Sequence, residues 1–171
     1  MTSTDTTSPL AQVARRWNLD PGSSVVELTV RALWGLGTHS GRFDRFDGSY
    51  AVGAAGAKLE LSVDVTSLAC AAGGDETLRT TISRAVADDP RVRFSSTRIV
   101  DRGDGTVHVS GEVEAAGETH EVSFPATIRA VDGGIEIESS AAVDHFASSV
   151  GNGPLGMLRP PATLHVRARF T

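Results

Sequence analysis

Apolar and polar side chains alternate along most of this chain, and few folds are compatible with that period. Val26, Leu28 and Val30 alternate with Glu27, Thr29 and Arg31, and Leu59, Leu61, Val63 and Val65 with Lys58, Glu60, Ser62 and Asp64. Val107, Val109 and Val113 share a face with Gly111, and Val122, Phe124, Ala126 and Ile128 form another stripe. Ile135, Ile137, Ala141 and Val143 lie opposite Glu136 and Glu138, and Leu164, Val166, Ala168 and Phe170 face away from His165, Arg167 and Arg169. A period of two marks strands with one buried face. Segments 43–53 and 91–100 alternate less clearly but have strand composition, so eight strands are predicted.

Turn residues connect them: Gly53 to Gly56, Asp101 to Gly105, Ala115-Ala116-Gly117 and Asp132-Gly133-Gly134. Links this short do not hold helical crossovers, so neighbouring strands are expected to be antiparallel. Two connections are longer. Residues 75–87 place Leu78, Ile82 and Ala85 at helical spacing behind an Asp75 cap and ahead of Pro90, which predicts one short helix. Residues 144–161, with Gly151, Gly153, Pro154, Gly156 and Pro160-Pro161, predict a long loop. Residues 1–15 read as a flexible N-terminal tail and 16–171 as one domain. Eight antiparallel strands with one apolar face form either a sandwich or a barrel, and closure into a barrel removes exposed edges. Several inward residues are small (Gly111, Ala126, Ser139, Ala141 and Ala168), which predicts an apolar cavity or, alternatively, a flattened barrel with a dry core.

Composition narrows the function classes. The net charge of -5 argues against nucleic acid and against an anionic membrane surface, both of which attract basic faces. Cys70 is the single cysteine, so the chain has no internal disulfide and no thiolate metal cluster. Met1 to Gln12 lacks the apolar segment of a secretory signal, which together with the lone thiol predicts a cytoplasmic protein.

No constellation for chemistry stands out. His39, His108, His120, His145 and His165 have no metal-ligand spacing, so no metal site and no cofactor are expected. His108 and His165 fall on outward positions, and His120 shares parity with Val122 and Phe124, near a rim. Ser40, between Gly37 and Gly41, lacks the strand-turn-helix setting of a nucleophile elbow. The chain is therefore not expected to be an enzyme.

A set of phrases recurs along the chain: Trp17-Asn18-Leu19-Asp20-Pro21, Gly41-Arg42-Phe43, Phe46-Asp47-Gly48, Val65-Thr66-Ser67-Leu68, Asp75 to Arg79, Pro90 to Thr97, Val109-Ser110-Gly111 through Gly117-Glu118-Thr119, and Asp144-His145-Phe146. In this order and spacing they resemble the YceI-like family over about residues 16–170. The resemblance implies an eight-stranded, lipocalin-like antiparallel β-barrel. It also implies a bacterial binding protein that carries or sequesters a long-chain apolar lipid: a polyisoprenoid, an isoprenoid quinone or a fatty-acid derivative. Transient membrane contact and a homodimer are compatible with it. There are departures. Thr77 stands where the family usually has a histidine, and Ile82-Ser83-Arg84-Ala85 where it has an acidic-aromatic-aromatic-acidic run; Ala147 replaces a glycine and Cys70 a threonine. The lost aromatics normally help close the barrel near the ligand, which leaves room for a wider or shallower pocket. Strand parity and aromatic content nominate Trp17, Leu28, Val30, Trp34 and Phe43 as pocket residues, with Phe46, Phe94, Phe124, Phe146 and Phe170. The alternative is a ligand-free interaction or stress-response module.

Overall fold

Period-two patterning produces a single antiparallel sheet in the computed structural model, which describes residues 15–31, 38–70, 89–142 and 162–171. The strands are β1 (Arg15–Asn18), β2 (Val25–Arg31), β3 (Thr38–Phe43), β4 (Phe46–Gly53), β5 (Gly56–Asp64), β6 (Leu68–Cys70), β7 (Arg91–Asp101), β8 (Thr106–Ala115), β9 (Glu118–Val131), β10 (Gly134–Ala142) and β11 (Ala162–Phe170). Their order across the sheet is β1-β4-β5-β7-β8-β9-β10-β11-β2-β3-β6. The sheet curls into a half-barrel with its apolar face inward. The expected helix over 75–87, the long loop 144–161 and the N-terminal tail lie outside the described residues.

The eight predicted runs are all strands, but the sheet has eleven strands rather than eight. One extra, β1, pairs along the edge of β4. The other two, β3 and β6, arise at a bend that two neighbouring strands share. Between β3 and β4 the chain turns at Asp44-Arg45, and between β5 and β6 it makes a 3-10 turn over Val65–Ser67. The Ser67 hydroxyl holds the two bends together. It accepts from the backbone N–H of Asp44 (3.2 Å) and of Arg45 (3.0 Å) and donates to the Asp64 carbonyl (2.6 Å). Period two slips at this bend: the buried Phe43 and Phe46 are three residues apart, as are the buried Val65 and Leu68, so the inward face passes from odd to even positions.

The curl is stitched at one end by the two chain ends. Asn18 N–H donates to Thr171 O (3.1 Å) and Thr171 N–H to Asn18 O (2.9 Å); Asp20 N–H donates to Arg169 O (2.8 Å) and Leu19 N–H to Gly48 O (2.9 Å). Residues 18–20 thus bond to β11 on one side and to β4 on the other. Phe170 is wholly buried beneath this stitch. Tyr50 stacks on it at 6.1 Å and Trp17 stacks on Tyr50 at 5.9 Å. Burial pushes the Tyr50 phenol up from its ordinary pKa, keeping the floor uncharged. Gly134 packs so closely on this floor that a Cβ there would collide with the Phe170 carbonyl oxygen.

Gly134→Ala should therefore destabilise the fold by at least about 2 kcal/mol, seen as a lower urea midpoint. At the bend, Asp64 is held below the usual carboxylate range by the Thr66 hydroxyl and then by Arg45. A depressed folded-state pKa contributes stability above the unfolded carboxylate's pKa, and that contribution is lost as pH falls through the folded value. Asp64→Ala should cost about 1 kcal/mol at pH 7, and the gap to the parent should close as the pH is taken below about 4.

Candidate functional site

The candidate site is the concave face of the curl, built from alternate residues of each strand. Its floor is tightly packed: Leu59, Val107, Val109, Ala126, Ile137 and Ala168 are buried around Phe170. Other residues on the same inward face are only half-buried, although they pack against the same cluster. These are Leu61 and Val63 on β5, Val92 and Phe94 on β7, Phe124 on β9, and Leu164 and Val166 on β11. The described residues therefore leave apolar surface uncovered on a concave wall.

Phe94 and Phe124 meet on that wall, with ring centroids 5.4 Å apart and planes tilted by 53°. They are not on adjacent strands. Phe94 leans from β7 across Gly111 of β8 to reach Phe124 of β9, and β8 has no side chain at that point to obstruct it.

One side of the wall is only partly paired among the described residues. The β9–β10 ladder ends at Thr127↔Glu138, two residues from Pro125, which has no N–H to donate. The Pro125 carbonyl instead accepts from the Ser139 hydroxyl at 2.8 Å. Among the described residues, β9 has no strand partner on this side from Thr119 to Phe124. At the same end, the half-buried His120 places Nε2 3.3 Å from a Glu118 carboxylate oxygen, where the parity of β9 predicted a rim histidine.

The residues nominated from sequence separate into distinct places. Phe94 and Phe124 lie together on the half-covered wall. Leu28, Phe43 and Phe46 are buried in the core, the last two flanking the Asp44-Arg45 bend. Trp17 and Phe170 belong to the floor stack, where protein covers the whole of Phe170. Val30 contributes backbone to β2, while its side chain, Trp34 and Phe146 lie outside the described residues. Sequence reasoning did not single out Tyr50 as a floor residue, because segment 43–53 alternates weakly. It also passed over Leu61, Val63, Val92, Leu164 and Val166, which parity could have nominated had aromatic content not been weighted.

Polar constellations lie elsewhere. On the outer wall the Ser140 hydroxyl is 2.8 Å from His165 Nδ1, and His165 Nε2 is 3.5 Å from a Glu138 oxygen. All three are accessible and point away from the apolar face. A depression of about 510 Å³ lies apart from the Phe94–Phe124 wall, lined by Glu27, Ser40 and Arg42 together with the edges of Phe43 and Phe46. Among the described residues no three His, Cys, Asp or Glu side chains gather to hold a metal.

Comparison with known proteins bears on the whole chain. A family model described as the YceI-like domain matches residues 17–164. The fold is similar to that of Burkholderia cenocepacia BcnA, with a TM-score of 0.66 and 17% identity over 89% of this chain and 98% of that one. It is similar to a polyisoprenoid binding domain from Saccharophagus degradans implicated in plant cell wall breakdown, with a TM-score of 0.61 and 14% identity over 91% and 98% of the two chains. A Campylobacter jejuni YceI protein aligns with a TM-score of 0.52 and 14% identity, over 75% of this chain and 83% of its own. No curated protein matches the chain.

Leu28 and Leu164 are cross-strand partners on the inward face, one buried and one half-buried, and so make a paired probe of the interior. Leu28→Ala should cost about 2–5 kcal/mol, and Leu164→Ala less than about half of that. Equal losses in chemical denaturation would show that the interior is filled.

Proposed function

Since this chain belongs to the YceI-like family, we propose that it binds a long-chain apolar lipid along its concave face and carries or sequesters it, without performing chemistry on it. The lipid class is a polyisoprenoid, an isoprenoid quinone or a fatty-acid derivative. The observation that carries this reading is the half-covered apolar wall formed by Leu61, Val63, Phe94, Phe124 and Leu164 above a sealed floor. A polyisoprenoid ligand is what the Saccharophagus domain of similar fold is described as binding, which supports the same ligand class here.

The physical case is additive. Each methylene buried contributes about 0.8 kcal/mol, so an isoprene unit contributes roughly 3 kcal/mol. A few such units outweigh the cost of ordering the chain and of association. Binding of this kind needs length and dryness rather than polar groups, and it suits a wall whose inward residues are almost all hydrocarbon. On this reading the barrel is completed in the lipocalin-like manner. The single thiol, Cys70, is in keeping with residence in the cytoplasm.

Native mass spectrometry of the purified protein, followed by solvent extraction, tests the proposal. A long-chain species near one per protein chain is the expected result. Where the purified protein is lipid-free, incubation with an isoprenoid quinone and with a fatty acid should give the same stoichiometry, and failure with both would favour the ligand-free scaffold. Phe124→Asp should abolish uptake while circular dichroism and the thermal midpoint show that the sheet persists. Unchanged uptake by that folded variant would remove Phe124 from the pocket.

A further inference from the structure

The half-covered wall contains one position where the absence of a side chain determines the orientation of a neighbouring ring. Gly111 is buried and faces inward on β8, opposite Ser96 on β7 and Val122 on β9. A Cβ at Gly111 would come within 2.7 Å of Phe94 Cε2 and 2.8 Å of Phe94 Cζ, and would collide with the Ser95 carbonyl oxygen. The ring of Phe94 thus rests directly on the backbone of β8. From there it reaches Phe124, whose ring it meets at 5.4 Å. Without this seat, a ring rooted on β7 and facing inward would have to swing away from the sheet, into the space above the wall.

We infer that Gly111 and Phe94 act as a width gauge: with the ring seated over Gly111, the wall admits a methyl-branched chain, and with the ring displaced from that seat it admits only a slender unbranched one. The inference rests on the lipid-binding reading above and specifies the chain class. The physical basis is the sensitivity of apolar sites to single methyl groups. One methyl that does not fit changes affinity by about ten- to a hundredfold. A tilted aromatic ring occupies the cross-section of more than one such group. Ser96 contributes to the same geometry. Its hydroxyl accepts from Leu59 N–H at 2.8 Å in place of a strand partner, just before the bulge at which β7 changes register against β8. That bond anchors the stretch of β7 on which Phe94 is carried.

The test uses the full chain and two probes, geranylgeraniol as the branched chain and stearic acid as the straight one, with affinities measured by displacement of a fluorescent fatty acid. The parent should bind both. Gly111→Ala should weaken geranylgeraniol by about tenfold or more relative to stearic acid. Phe94→Ala should shift the ratio the other way, weakening stearic acid more than geranylgeraniol. The double variant should recover the branched-chain affinity to within about threefold of Phe94→Ala, because the collision with the ring is gone. Should the backbone clash with Ser95 prevent Gly111→Ala from folding, Phe94→Ala alone decides. A ratio equal to the parent's in folded Phe94→Ala overturns the gauge, as does an equal loss for both probes in folded Gly111→Ala. A parent that binds neither probe overturns the lipid-binding reading itself, a result distinct from the other two.

Discussion

The return of the chain's end onto its beginning organises this molecule. Asn18 and Thr171 exchange two backbone hydrogen bonds, Asp20 reaches Arg169, and Leu19 reaches Gly48 on the far side. Three residues near the N-terminus thereby hold β4 and β11 together. Those strands sit far apart in the order of the sheet, and without this stitch the curl would have no reason to seal. Phe170 lies beneath it with no exposure, and Tyr50 and Trp17 extend the seal outward as an aromatic stack. Gly134 allows the backbone approach that makes the packing possible.

A sealed floor determines what the rest of the inward face can do. Apolar surface at the floor is covered by the protein itself, and the packing there is as dense as in any core. Toward the other end the pairing thins among the described residues. The β9–β10 ladder stops close to Pro125, and the inward valines, leucines and phenylalanines remain half-covered. Among the described residues this leaves half-buried apolar surface on a concave wall, the observation on which the proposed apolar ligand rests. The polar groups are segregated from it: Ser140, His165 and Glu138 lie on the outer wall, and the Arg45, Asp64, Thr66 and Ser67 cluster serves the strand bend. The chain thus uses polar chemistry to shape the sheet and apolar chemistry to line it.

Much of this was legible in the residues. Alternation identified most of the long strands and strand composition the two at 43–53 and 91–100, and turn residues correctly gave antiparallel neighbours. The inward small residues Gly111, Ala126 and Ala168 were found where parity placed them, all buried. The bend between β3 and β4 shows in the sequence only as a three-residue step from Phe43 to Phe46; the corner itself is made by backbone hydrogen bonds to the hydroxyl of Ser67, remote along the chain. Nor could aromatic content separate roles. Phe170 and Phe94 both lie inward on strands, yet one is sealed in the floor and the other is half-buried on the wall. The difference is their distance from the stitch, which is a property of the closed sheet.

The sequence by itself determined the all-β class, the antiparallel neighbours, the inward face and the absence of a marked catalytic pattern, since each depends on residues close together along the chain. The phrases it shares with the YceI-like family carried the expectation of a lipid ligand. The tertiary structure alone decided which inward residues are sealed in the floor and which stay half-buried on the wall. Those properties depend on the meeting of Asn18 with Thr171 and of Phe94 with Phe124 across Gly111. Such contacts join residues remote in sequence, and their energies follow from the distances at which the curled sheet holds them.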